Sequence, residues 1–421
     1  MVWARFPNLP HLRVLMRRLL LPAVVGLVAH AALASAQSGT SIGSSTAAFG
    51  TGVTLARDAD AIFWNPALLG VQPFGDVRSA PTDGLRVLSV SLGAAPARTW
   101  LAEAARFGLF DGGSRAAPAW ARAVAPTRDG APGGTADFVW ISSATGTLGL
   151  SISSHAEGSG EVRSSTVGDS VHRAAYSTAM LALAAPVGRF LGIRARAGVT
   201  LKGRIVHVHG AAAWLDSAGT GALMRETTLR NVPGASADFG VVVQPGPLVV
   251  SAVISDALRL TYRPAHAARV RTVVRGADGE LRGEAREIDA SDSASVRDGA
   301  EALYVATVPP AVARVGASWA GRLGETSVSV ERRLRDGGLK QVPGNAWAVS
   351  YRFAGAAAPF RVGIAGGGGT SGIQVGWIAP ACRVPWALGV GRWRGVGDAD
   401  ASLAVSLSFG SRSRRACGQR S

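Results

Sequence analysis

Lysine is almost missing from this chain. Of its 44 Lys and Arg residues only Lys202 and Lys340 are lysines, so the formal charge of +16 rests on arginines scattered among Ala and Gly, the bias of a GC-rich genome. A nucleic-acid-binding chain gathers its basic residues on one face with aromatics interleaved. That pattern is lacking, and nucleic acid is excluded as a partner. Charged residues of both signs make up 17% of the chain, against about a quarter in ordinary globular proteins. Hydrophobic residues make up 47%, which excludes long disorder, since disorder needs low hydrophobicity and high net charge. Long apolar runs are missing as well. Beyond residue 36 no stretch approaches the ~18 uninterrupted apolar residues of a spanning helix, so crossing a membrane by helices is excluded. Cysteine is represented only by Cys382 and Cys417, too few for a disulfide scaffold.

What is present begins with an export signal. Residues 16–36 read MRRLLLPAVVGLVAHAALASA, with Arg17 and Arg18 as a basic start, Leu19 to Leu33 as an apolar core and Ala34-Ser35-Ala36 as an A-x-A cleavage site. Residues 1–36 are therefore expected to be a signal peptide, with Met16 as an alternative start. No Cys follows the cleavage site, so a lipoprotein is not expected.

Past the signal the dominant pattern is alternation with period two. Leu148, Leu150 and Ile152 fall on one face and Gly149, Ser151 and Ser153 on the other. Trp347, Val349, Tyr351 and Phe353 alternate with Ala346, Ala348, Ser350 and Arg352 in the same way. Further examples are Ile373, Val375 and Trp377 against Gln374 and Gly376, and Leu403, Val405, Leu407 and Phe409 against Ser402, Ala404, Ser406 and Ser408. A strand with one apolar and one small polar face suits a wall between lipid and a wet lumen. About fourteen such strands are expected between residues 85 and 409. Their connections alternate long (93–136, 155–174, 207–235, 258–310) and short (144–145, 186–191, 245–246, 320–324). Outer-membrane barrels have long outer loops and short periplasmic turns; a soluble sandwich has no reason to alternate them. The fold class is thus all-β, a transmembrane antiparallel β-barrel, followed by a basic tail at 410–421. Its C-terminal strand, ending at Phe409, is the expected contact for the barrel-assembly machinery, and outer-membrane lipid is the expected surround.

Two long loops have character. Residues 98–110 carry Leu101, Ala105 and Leu109 at helical spacing, and residues 275–301 mix Arg275, Arg282 and Arg286 with Asp278, Glu280, Glu284, Glu287, Asp289 and Asp292, as a solvated loop does.

Several patterns resemble sites without the context that chemistry needs. Gly39-Thr40-Ser41-Ile42-Gly43 matches a nucleophile elbow but has no strand before it, no helix after it and no triad. His207 and His209 would share a strand face, with only Asp216 near as a third ligand. Gly366–Gly369 lacks the Gly-Lys-Ser/Thr ending of a phosphate loop and reads as a hairpin turn. Glu157 and Glu161 are expected in a loop with no partner acid or base. No catalytic residue, metal site or cofactor is expected, and the chain is not expected to be an enzyme.

The segment SSTAAFGTGVTLARDADAIFWNPALLG, residues 44–70, carries the most information. With Ala56, Asp58, Asp60, Ala61, Phe63, Trp64, Asn65, Pro66, Ala67, Leu68 and Leu69 in order, it resembles the opening of the FadL-type outer-membrane transporter superfamily, in particular its PorV/PorQ-like branch. Leu68 replaces the glycine that follows N-P-A in that pattern. The hairpin at 236–257, with Gln244-Pro245-Gly246-Pro247 at its turn, is similar to the middle of those barrels. The resemblance implies a fourteen-stranded barrel with residues 37–84 folded inside as a hatch. It also implies hatch or gating roles for Asp58, Asp60, Phe63, Trp64, Asn65, Pro66 and Ala67, against the plainer reading that N-P-A only locks the hatch fold. Asn before Pro is confined to extended or turn geometry, and Phe63 and Trp64 would anchor the segment on an apolar lumen patch.

Two functions follow from this resemblance: a passive channel for small hydrophobic molecules, or a PorV-like barrel that holds a secreted protein as shuttle or attachment factor. The same topology puts Cys382 and Cys417 on the periplasmic side, where they either pair as a disulfide that ties down the tail or stand as two unrelated thiols.

Overall fold

A computed structural model describes residues 52–56, 58–71, 84–94, 135–161, 170–190, 193–215, 221–261, 268–276, 281–289, 294, 309–321, 323–334, 345–353, 360–367, 370–378, 386–395 and 402–412. The signal peptide, Gly39–Gly43, the helical spacing at 98–110, Asp216, Cys382 and Cys417 lie outside them.

Two one-turn helices, α1 (Gly52–Leu55) and α2 (Ala61–Trp64), and two 3-10 turns, Asp58–Asp60 and Pro66–Leu68, precede the strands. The strands are β1 (Gly84–Ala94), β2 (Thr135–Thr145), β3 (Leu148–Glu161), β4 (Ser170–Phe190), β5 (Ile193–Leu215), β6 (Gly221–Pro245), β7 (Leu248–Thr261) and β8 (Ala268–Gly276). They continue with β9 (Leu281–Asp289), β10 (Val312–Ala320), β11 (Gly324–Arg333), β12 (Asn345–Phe353), β13 (Phe360–Gly367), β14 (Thr370–Ile378), β15 (Trp386–Gly395) and β16 (Ser402–Arg412).

All sixteen belong to one antiparallel sheet in the order β5-β4-β3-β2-β1-β16-β15-β14-β13-β12-β11-β10-β7-β6-β8-β9. A second pairing, β5 with β6, closes the run from β5 to β6 into a ring and leaves β8 and β9 outside it. Closure abolishes the open edge that a flat sheet would present. The last strand meets the first, with Phe409 opposite Leu88, and β16 continues to Arg412 beyond the expected end at Phe409.

The alternation read from the sequence sets which face is inside. On β3, Leu150 is 53% exposed and Ser151 4%; on β14, Ile373 is 64% exposed and Gln374 4%. The same order holds on β4 (Leu181 and Leu183 out, Met180 and Ala182 in), β5 (Leu201 and Ile205 out, Lys202 and Arg204 in) and β6 (Phe239 and Val241 out, Asp238 and Val242 in). The molecule is apolar outside and largely polar inside, the inverse of a water-soluble protein. Tight turns hold the short end: Gly146 and Gly246 open two-residue hairpins at φ 55° and 65°, the left-handed region where a side chain is disfavoured.

The charged stretch within 258–310 departs from the loop expected there. β8 pairs with the outer part of β6, Gly221–Leu229, and β9 pairs with β8. Likewise β4, β5 and β6, at 21, 23 and 25 residues, run far past the ~9–11 residues a bilayer crossing needs, and take up much of 155–174 and 207–235. Glu157 and Glu161 therefore lie in strand β3 rather than in a loop. The physical reason is common to all of these. Outside a bilayer a strand needs no apolar face, so Ala268–Gly276 can pair while alternating Arg with Val and Thr.

Candidate functional site

The segment from Gly52 to Val71 is short-range structure that no helix propensity would sustain in isolation, since each helix is a single turn. Local bonds and the surrounding wall fix it. Asn65 sits at φ −160°, ψ 105°, the extended geometry imposed on a residue before proline, and Pro66 opens the next 3-10 turn. The Oδ1 of Asn65 accepts from the Ala67 N–H at 3.0 Å and so caps that turn. Its Nδ2 donates to the carbonyls of Val241 and Ala252, both at 3.3 Å. Val241 and Ala252 are register partners on β6 and β7, so one amide bridges both strands at one rung.

Wall residues hold the rest. Ser142 of β2 donates to the Ala59 carbonyl at 3.2 Å, Thr200 of β5 to Ile62 at 3.3 Å, Arg196 of β5 to Leu69 at 2.7 Å, and Ser251 of β7 to Val53. The segment touches β1 to β7, β10 and β11, and it is packed inside the ring. Four inward positions are glycines because the segment leaves no room for a Cβ. At Gly149 it would meet Ile62, at Gly198 the backbone of Pro66 and Ala67, at Gly240 the Asn65 amide, and at Gly316 Val53 and Thr54.

The residues singled out in sequence are gathered here. Trp64, Asn65, Pro66 and Ala67 are buried, Phe63 is half-buried, and Asp60 is buried at the start of α2. Asp58 begins the preceding 3-10 turn. The apolar lumen patch expected for a ligand is covered by the segment itself. Ile62, Trp64, Ala67, Leu68 and Leu69 form one cluster with Ala144, Met180, Ala182, Ala184, Val242 and Val249 of the wall.

Beside this cluster, toward the long-loop end, lies a set of buried charges that sequence reading missed. Lys202 Nζ is 2.7 Å from Asp238 and 3.6 Å from Asp256, and Arg204 Nη2 is 2.7 Å from Asp256. Asp256 also accepts from Ser236 at 2.5 Å, and its own N–H donates to Asp238 at 2.7 Å. Asp256 lies in a bulge where β7 places Ser255, Asp256 and Ala257 opposite Asp238 alone, and it takes φ 53°, a left-handed value that Asp tolerates better than most residues. Arg314 of β10 joins the charges to the segment. Its Nε is 2.6 Å from Glu331, its Nη1 donates to Ser255 at 3.0 Å, and its guanidinium carbon stands 5.4 Å from the Trp64 ring centroid. Burying so many charges is tolerable only because each is paired and hydrogen-bonded. The one signal in the sequence was Lys202, a rare lysine on an inward strand position.

Among the described residues no group of three or more His, Cys, Asp or Glu residues is placed to hold a metal ion. His207 lies half-buried on β5.

Fold and site together define a closed antiparallel β-barrel that encloses its own N-terminal segment. The structure of the CymD monoaromatic hydrocarbon channel is similar to it, with a TM-score of 0.51, 12% identity, and coverage of 89% of this chain and 99% of that one. The Pseudomonas putida toluene transporter TodX aligns at a TM-score of 0.47 and 9% identity over 88% of this chain and 98% of its own. A Pseudomonas aeruginosa FadL homologue aligns at 0.45 and 13% identity over 90% and 99%. No family model and no curated protein matches the chain.

Proposed function

We propose that the protein is an outer-membrane channel that passes small hydrophobic molecules, with residues 52–71 acting as its hatch. The observation that carries this reading is the apolar cluster inside the ring. Moving the segment would uncover Met180, Ala182, Val242 and Val249, a surface suited to an apolar ligand, and it would open the lumen at the same time. The wall bonds described above are made by side chains, those of Ser142, Arg196, Thr200, Ser251 and Asn65, so release of the segment need not disturb the barrel ladders. Placement in the outer membrane is supported by the exposed apolar belt and by Trp319, Phe353 and Phe360, which project outward near the short-turn end as an aromatic girdle does. The channel role gains support from the fold shared with CymD, a monoaromatic hydrocarbon channel. No observation favours the secretion reading.

The test is a reversible tether. Ile62→Cys with Gly149→Cys joins hatch to wall where a Cβ at position 149 would meet the Ile62 side chain. Cells carrying the oxidised double variant should take up radiolabelled toluene at the rate of cells lacking the protein, and dithiothreitol should restore uptake. Full uptake with the tether closed would refute the hatch. Equal uptake with and without the wild-type protein would refute the channel.

A further inference from the structure

The inner wall changes character at one rung. Val249 of β7 belongs to the apolar cluster, and its register partner on β10 is Ser318. From Ser318 the rung runs to Ser327 of β11, Ser350 of β12, Gly363 of β13, Gln374 of β14 and Gly391 of β15. No large apolar side chain stands in that sequence of residues. Ser318, Ser327 and Gln374 are 2%, 1% and 4% exposed, and Gln374 turns inward between the outward Ile373 and Val375. The Oγ of Ser318, the Oγ of Ser327 and the Oε1 of Gln374 have no hydrogen-bond partner among the described residues. For Gln374 the register gives the cause. Its cross-strand neighbours are Gly363 and Gly391, which have no side chain to offer.

Buried polar groups are almost always bonded, and three lacking partners on one rung ask for a ligand that supplies them. A hydrocarbon passing this wall would leave all three unsatisfied. An amide oxygen only accepts, so it needs a donor; a serine hydroxyl both donates and accepts; an ionised carboxylate offers no donor. Of the buried cations among the described residues, Lys202, Arg204 and Arg314 are held by Asp238, Asp256 and Glu331, and Arg361 of β13 is not free either.

We infer that Ser318, Ser327 and Gln374 form a recognition row for an uncharged amphiphile bearing a hydroxyl group, an alcohol or a phenol, whose apolar body lies on the patch around Val249. The inference rests on the channel reading and narrows its substrate class. Hydroxyl selectivity comes from the row, and affinity for the apolar body comes from the cluster that the hatch covers.

The experiment is a ligand-observed NMR titration of the full-length protein in lipid nanodiscs with benzyl alcohol, toluene and benzoate, with empty nanodiscs as the blank. Benzyl alcohol should bind about tenfold more tightly than toluene, the effect of one or two hydrogen bonds, and benzoate most weakly. Gln374→Leu and the pair Ser318→Ala with Ser327→Ala should each erase most of that preference while toluene binding holds. Ile373→Ala, on the outer face of the same strand, should leave the order unchanged. Two separate variants guard against a folding failure in either one. Toluene binding as tightly as benzyl alcohol, or benzoate binding best, would overturn the row as a hydroxyl site and leave the channel reading intact. Absence of binding by all three would overturn both.

Discussion

The guanidinium of Arg314 lies over the indole of Trp64, 5.4 Å from its ring centroid, while the same side chain bonds Glu331 and Ser255. A single wall residue thus connects the internal segment to β7 and β11. Trp64→Leu should keep the apolar contact and lose the cation–π attraction, weakening the seating of the segment by about 1 kcal/mol. Hydrogen exchange of residues 52–71 measures this. Protection of the strand ladders should not change.

Asn65→Asp separates the two functions of that side chain. The carboxylate still caps the turn through Ala67, but it cannot donate to Val241 and Ala252, and it places a negative charge against two carbonyls. The segment should lose about 2–4 kcal/mol of seating energy, seen as faster exchange at Ala67 and Leu68 and as higher single-channel conductance in planar bilayers. Asn65→Ser, a shorter cap without the reach, should fall between the two.

Gly198→Val should act as a wedge. Even a Cβ at this position runs into the backbone of Pro66 and Ala67, and a backbone cannot rotate away as a side chain does. The expected result is a barrel that keeps its heat-modifiable migration on gels but shows a permanently raised conductance. Unchanged conductance would mean that the segment shifts as a unit and reseals.

Asp256→Ala should be the most destabilising of these changes. It removes the carboxylate shared by Lys202 and Arg204, strands Ser236 and puts Ala in a left-handed conformation, with an expected cost of about 3–5 kcal/mol. Asp256→Asn keeps the tolerated backbone and part of the hydrogen bonding, so its loss should be smaller. Urea-induced unfolding in detergent, followed by tryptophan emission, ranks the two.

Much of the wall is readable from residue order because each strand there faces two solvents. Leu148, Leu150 and Ile152 declare their outward face, and Ser151 and Ser153 the inward one. That code fails where a strand leaves the lipid. Arg269, Arg271 and Arg275 alternate in β8 with Val270, Thr272 and Val274, a charged pattern that reads as a loop in sequence, and the sheet carries β8 and β9 outside a closed ring of fourteen strands. The internal segment is singled out by resemblance alone, as nothing in the periodicity of residues 52–71 marks it. The charge cluster is illegible for another reason: Lys202 and Asp256 are distant along the chain, and only strand pairing with the bulge in β7 brings them together. The unpartnered row could not be foreseen either. A polar side chain on an inward face is ordinary, and the lack of a partner at Gln374 depends on Gly363 and Gly391 standing opposite it on the two flanking strands.

That row does not keep a constant height in the barrel. It starts at Ser318, two residues from the end of β10 at a short turn, and the same hydrogen-bond rung continues through Gln374, Gly391 and Ala404 to Gly93, next to the last residue of β1 at the long-loop end. Tilted strands make every rung of a closed barrel climb in this way. The small residues are therefore cut into the wall like the thread of a nut, so a molecule that keeps to them must rotate about the barrel axis as it advances.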